Sequence, residues 1–194
     1  MRNLVTVFFI AIVIVGCKTE TKKKKDEMHQ NHQIDKNEAS NKKVLSPHTY
    51  AMSMIGNAHI HVDYSSPGVR NRMIFGGLLA YDVIWQAGAH KATWLETNKD
   101  LLIAGKVLPA GKYGFFVIPS KEEWTLVFNS RWEQHGKDEY DAKEDVLRFK
   151  VVPEVLDEVV EHLKYQVTKT SATTGVFSLT WEKVFVKFPF KVKI

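Results

Sequence analysis

Residues 184–194 read Val-Phe-Val-Lys-Phe-Pro-Phe-Lys-Val-Lys-Ile. Val184, Val186, Phe188, Phe190, Val192 and Ile194 fall on one side of a two-residue period. Phe185, Lys187, Pro189, Lys191 and Lys193 fall on the other. Successive side chains of a strand point to opposite faces, so the stretch predicts a strand with one buried face and one solvated face. Pro189 has no N–H to give to a ladder, which predicts an edge or a bulge at that point.

The same period recurs upstream. Ala58, Ile60, Val62 and Tyr64 alternate with His59, His61 and Asp63. Trp124, Leu126 and Phe128 share a face, and Val146–Val152, Val159–Thr168 and Val176–Trp181 read as further strands. Leu101 to Ile103 followed by Ala104-Gly105-Lys106 predicts a hairpin, and Leu108-Pro109-Ala110-Gly111 predicts a turn into Tyr113–Ile118. Ser66-Pro67-Gly68 also has turn chemistry, with Pro and Gly at the central positions. Short strands separated by Gly and Pro turns predict a mainly β fold. The expectation is a single antiparallel β-sandwich or barrel-like domain over residues 44–194. Helix is limited to a turn or two near Trp132–Ala142 or Pro153–Asp157.

The first residues obey a different rule. Met1-Arg2-Asn3 precedes an apolar run from Leu4 to Val15, broken only by Thr6. A membrane-spanning helix needs about 20 apolar residues, so this run has the length of a signal-peptide core instead. It ends Ile14-Val15-Gly16-Cys17, which resembles the lipobox of bacterial lipoproteins. Residues 1–16 are then a cleaved leader, and Cys17 carries the lipid. Each buried methylene contributes about 0.8 kcal/mol, so several acyl chains hold stably to a membrane. The expected location is the cell envelope, at the periplasmic face or the cell surface. Residues 17–43 are polar and lack the apolar side chains needed to offset ordering entropy, which predicts a disordered tether.

Charge narrows the partners. The 194-residue chain carries a formal +5 and one cysteine, so no internal disulfide is available. Residues 18–43 hold eight lysines against five acidic residues, whereas residues 44–194 hold 18 basic and 17 acidic residues. The excess sits in the tether. A nucleic-acid-binding domain concentrates basic charge on the fold itself, so nucleic acid is excluded as a partner.

Several stretches then resemble a known family. They are Val62-Asp63-Tyr64-Ser65-Ser66-Pro67-Gly68-Val69-Arg70, Ile74-Phe75-Gly76-Gly77-Leu78, and Trp85-Gln86-Ala87-Gly88-Ala89-His90-Lys91-Ala92-Thr93. Leu108-Pro109-Ala110-Gly111-Lys112-Tyr113, Ile118-Pro119, Trp124-Thr125, Phe128-Asn129 and Trp181-Glu182-Lys183 continue the likeness. Over about residues 46–194 the chain resembles the family catalogued as domain of unknown function 2911. The resemblance implies a secreted or lipid-anchored bacterial protein and implies no reaction. Gln86 and His90 stand where the family's commoner form has Arg and Asn, as in a histidine-bearing branch.

Histidines carry the candidate chemistry. His59 and His61 sit two apart on a predicted strand, so both project from one face about 7 Å apart, with Asp63 next along it. His90 lies in Gly88-Ala89-His90 and His135 in Glu133-Gln134-His135-Gly136, both beside turn-forming glycines. His59, His61, His90 and His135 are the candidate ligands of a transition metal ion, zinc or copper. His48 and His162 read as ordinary surface residues. A cupin pattern would use Pro109-Ala110-Gly111, but the acidic residue it needs after the second histidine is replaced by Ser65 and Ser66. No Gly-x-Ser-x-Gly or phosphate loop is present, and no catalytic residue is assigned. Three readings stay open: a metal-binding envelope lipoprotein, a module that recognises a glycan or an envelope protein without metal, and a metal-dependent enzyme using the same histidines.

Overall fold

Ten strands and one short 3-10 turn make up the computed structural model, which describes residues 44–193. Cys17, the leader of residues 1–16 and the tether of residues 17–43 lie outside the described residues. The strands are β1 His48–Ile55, β2 Ala58–Ser65, β3 Trp94–Thr97, β4 Leu101–Ile103, β5 Lys106–Leu108, β6 Gly111–Ile118, β7 Trp124–Asn129, β8 Asp145–Val151, β9 Glu154–Lys169 and β10 Thr174–Val192. They form a six-stranded sheet in the order β1-β2-β3-β6-β7-β8 and a four-stranded sheet in the order β5-β4-β10-β9. Every ladder is antiparallel. The fold is the sandwich-like member of the expected pair, with no closed barrel.

Turn chemistry fixes the registers. Gly56, at φ 60°, opens the two-residue loop between β1 and β2, and glycine takes that backbone at no steric cost. Ile55 then faces Ala58, and His48 faces Ser65. Ala104 and Gly105 both lie at positive φ in the β4–β5 hairpin, the form that matches strand twist.

The alternating residues of the two sheets meet in an aromatic interior. Phe115 of β6 lies 5.1 Å from Phe177 of β10, and Phe128 of β7 lies 6.2 Å from Phe188, ring centre to ring centre. Trp85 and Trp181 stack at 5.6 Å, with Phe75 packed edge-on against both. Each large side chain taken from water contributes roughly 1.5–3 kcal/mol, so these rings are the main cohesive element between the sheets.

Four local expectations change. Pro153–Asp157 is not helical. Glu154 opens β9, where Val155 pairs with Val184, and pairing to β10 overrides any local helical preference. Near Trp132–Ala142 one helical turn does form, at Ala142–Glu144, after a run of bends and turns. Ser66-Pro67-Gly68 does not turn back on itself. It runs alongside β9, with the Leu163 N–H donating to Pro67 O at 3.0 Å and the Val69 N–H donating to Glu161 O at 2.8 Å. Pro189 lies in an interior strand, β10, not an edge. It falls between the part of β10 that pairs with β9 (up to Phe185) and the part that pairs with β4 (from Phe190), so its missing N–H breaks neither ladder. The runs at 176–181 and 184–194 are one strand, interrupted by register shifts around Glu182, itself at φ 55°.

Candidate functional site

Alternation on β2 buries Ile60 and Val62 and turns His59, His61 and Asp63 to the outer face of the six-stranded sheet. That face carries a row of stacked side chains crossing the strands. Tyr50 of β1 stacks on His61 at 5.3 Å, and His61 stacks on Trp94 of β3 at 5.2 Å. Trp94 meets Trp132 edge-on at 6.0 Å. Between the two indoles sits the ammonium of Lys112, on β6, 3.5 Å from the centre of Trp94 and 3.6 Å from that of Trp132. Cations are drawn to indole faces, so Lys112 ties the segment around Trp132 to the sheet.

That segment is also held by its backbone. The Ala92 N–H donates to Gln134 O at 3.0 Å, and the Gly136 N–H donates to His90 O at 2.7 Å. The 90–92 and 134–136 segments are thereby joined across from β2. A cavity of about 260 Å³ lies where they meet the sheet. Asp63, Lys91, Trp94, Trp132, Glu133 and Gln134 line it, with His48 at one side.

The polar groups of the cavity differ in how they are satisfied. Asp63 Oδ1 accepts from His48 Nε2 at 2.9 Å, and His61 Nε2 stands 3.9 Å from Asp63 Oδ2. Gln134 donates its amide N–H to Arg131 O at 2.7 Å. Its other amide atom, Oε1, is buried with no hydrogen-bond partner, although the residue as a whole is only 6% exposed. An unpartnered buried acceptor costs roughly 1–3 kcal/mol. Tyr64, under the cavity floor, is held as the neutral phenol. Burial raises its pKa, and the N–H that Tyr165 donates to it opposes the rise. Other hollows are larger, such as the one beside Phe149 and Phe188.

The histidines of the sequence reading separate into two places. His59 and His61 do share a face, with ring centres 6.1 Å apart. His90 is exposed at φ 62° in the loop before β3. His135 is exposed as well, its nearest acidic neighbour being Asp138 at 4.0 Å. Among the described residues no three or more His, Cys, Asp or Glu side chains form a group able to hold a metal ion. His162, read as an ordinary surface residue, is exposed on β9. His48, read the same way, instead lines the cavity and hydrogen-bonds Asp63. A signal for it exists in the sequence. Once Gly56-Asn57 is taken as a two-residue turn, the β1–β2 register follows and brings His48 across from Ser65, diagonal to Asp63. Lys112, Trp94, Trp132 and Gln134 come together only through the fold.

Residues 46–190 match the family described as Protein of unknown function (DUF2911). The chain belongs to that family. The DUF2911 match spans both sheets and every residue that lines the cavity. No curated protein and no solved structure matches the chain.

Proposed function

We propose that the domain is a binding module that takes a small polar ligand in the cavity between β2, β3 and the 132–134 segment, on a chain anchored to the cell envelope through Cys17. The observation that carries the first part is the cavity of about 260 Å³ whose lining brings together the Asp63 carboxylate, the Lys91 ammonium and the Trp94 and Trp132 indoles. A concave site that combines aromatic rings with a few placed polar groups is the form small-ligand sites take. A thermal-shift screen of small polar compounds tests it on the full chain in detergent. Some compounds should raise the melting temperature of the wild type and leave the Asp63→Ala/Gln134→Leu variant unmoved. A screen in which the two respond alike overturns the reading.

The anchor rests on Ile14-Val15-Gly16-Cys17 after an apolar run of signal-peptide length. A fatty-acid probe fed to cells should label the wild type and not Cys17→Ser. Equal labelling rejects the anchor and leaves the cavity reading intact.

A second reading uses the imidazoles. His59 and His61 stand side by side on one face, and Asp63 lies between His61 and His48. Zinc or copper taken up by this group would need a side-chain shift to bring in a third donor, so the expected affinity is modest. Isothermal titration of the wild type and of His59→Ala/His61→Ala with each metal decides it. Equal binding by the two removes metal from the account.

A further inference from the structure

The outer face of the β1–β2 hairpin carries a second set of donors, beside the cavity but not in its lining. Alternation turns Tyr50, Met52 and Met54 outward from β1, as it turns His59 and His61 outward from β2. The register sets Met52 directly across from His61 and Met54 directly across from His59. We propose that these four side chains bind a soft monovalent cation, copper(I), through two thioethers and two imidazoles. The site rests on the imidazole face of the second reading above, adds donors which that reading lacks, and is independent of the cavity.

The spacing allows one ion to reach all four. Paired residues of an antiparallel ladder have Cβ atoms about 5 Å apart, and alternate residues of one strand are about 7 Å apart. The centre of that quadrilateral lies about 4 Å from each Cβ, within the span of a methionine or histidine side chain. The ring centres of His59 and His61 are 6.1 Å apart, close enough for both to ligate one ion with bonds of about 2 Å. His61 is held between Tyr50 and Trp94, so it is the fixed ligand. His59 turns toward the ion, and the thioethers, each on three rotatable bonds, fold over it. Met52 and Met54 are 51% and 52% exposed, so little packing opposes that movement.

The donor set selects the metal. Thioether sulfur is a soft ligand and favours copper(I), whereas zinc favours imidazole with thiolate or carboxylate. Carboxylates do not complete this site, because among the described residues no three His, Cys, Asp or Glu side chains form a group able to hold a metal ion. Thioethers and unprotonated imidazoles are neutral, so the set suits a single positive charge better than a double one. The place of the methionines also calls for a use. β1 is an edge strand of its sheet, and edges are commonly guarded by charged side chains against pairing with other chains. Here two apolar thioethers stand out from it instead.

The test titrates copper(I), kept reduced and free of oxygen, into the full chain in detergent against a coloured copper(I) chelator. The wild type should bind one copper(I) at least about tenfold more tightly than Met52→Leu/Met54→Leu, since losing even a group that only orients a metal ligand costs that much. Leucine keeps the apolar volume at two exposed positions, so the fold should be undisturbed. Silver(I), a soft ion with no redox chemistry here, provides a second measurement on the wild type. It should shift the methyl signals of Met52 and Met54 and leave that of Met73, also exposed, in place. Equal copper(I) affinity in the two proteins overturns the proposal, as do silver shifts of equal size at all three methionines. Zinc separates this site from the second reading. Zinc binding that is lost in His59→Ala/His61→Ala, with copper(I) binding unmoved by the methionine substitutions, leaves the imidazole reading standing and removes the thioethers. Copper(I) binding that needs the methionines, with zinc bound equally by the wild type and His59→Ala/His61→Ala, upholds the soft site and removes zinc from the imidazoles.

Discussion

Along β2, Ile60 and Val62 point inward with none of their surface exposed, while His59, His61 and Asp63 point outward from the same eight residues. The two faces of the six-stranded sheet are thus built from one set of strands. The inner face meets Phe177, Phe188 and Tyr165 of the other sheet, and its cohesion comes from removing apolar surface from water. The outer face keeps Tyr50, Met52 and Met54 more than half exposed and assembles its order from stacking, one ammonium and a few hydrogen bonds. The inner face specifies the fold. The outer face is arranged around a space that the fold does not need.

The largest expected effect falls on the inner face. Phe177 is 2% exposed and touches Phe115, Tyr165 and Phe188. Phe177→Ala should cost about 3–5 kcal/mol, from lost transfer energy plus the cavity left behind. Tyr50→Ala, on the outer row and 58% exposed, should cost under about 1 kcal/mol. Urea unfolding of both variants measures the contrast. Comparable losses would mean that the outer row is a second core, and the distinction between the faces would fail.

How much of this the sequence discloses differs by face in the same way. The inner face is legible because it rests on period-two alternation, a local property: 184–194 and 58–64 carry it openly, and Ala104-Gly105 marks its hairpin. Pro153–Asp157 misleads because its strand state depends on Val155 meeting Val184, about thirty residues away. Ser66-Pro67-Gly68 has the composition of a turn, yet long-range pairing to β9 holds it extended. The outer site is less legible still. His59, His61 and Asp63 can be placed on one face from spacing, and His48 from the hairpin register. Gln134 and Trp132 reach the cavity through the joining of two loops, and no local period encodes that.

A smaller effect separates the faces by pH. Tyr165, fully buried, has its pKa raised well above the ordinary phenol value by burial and then by neighbouring Tyr64. Tyr140, outside the inner core, is pushed up to about 12 by burial and by its bond to Asp145. Both phenols stay protonated in the fold after an unfolded tyrosine, near pH 10, has lost its proton. The folded state therefore binds more protons above that pH, and stability present below about pH 10 is lost as pH rises toward 12. Melting temperatures should be level through neutral pH and fall above about pH 10. Tyr140→Phe should make the fall shallower without removing it, because Tyr165 remains. A level profile through pH 12 in the wild type, or a fall that disappears in Tyr140→Phe, would contradict the assignment.

The smallest expected effect tests whether the outer face is ordered by Lys112. Its ammonium lies within 3.6 Å of two indole centres, and exposed contacts of that kind contribute about 0.5–1 kcal/mol each. Lys112→Met keeps the length and apolar stem of the side chain and removes only the charge. Global stability should therefore fall by about 1 kcal/mol, far less than for Phe177→Ala. The local consequence should be larger than the global one. Trp132 would lose its tie to Trp94, and the 134–136 segment would open more often than the sheet beneath it. Amide exchange reads this directly. The Ala92 and Gly136 N–H groups, bonded to Gln134 O and His90 O, should exchange faster in Lys112→Met. The Phe115 N–H, bonded to Thr93 O in the sheet below, should keep its wild-type rate. Lys112→Arg retains a cation over the indoles and should restore slow exchange. If Ala92, Gly136 and Phe115 all accelerate together, Lys112 is part of the global fold and the cavity wall is not a separate element. If none of them changes, the wall is held by its backbone hydrogen bonds alone, and the cation between the indoles has no part in shaping the site.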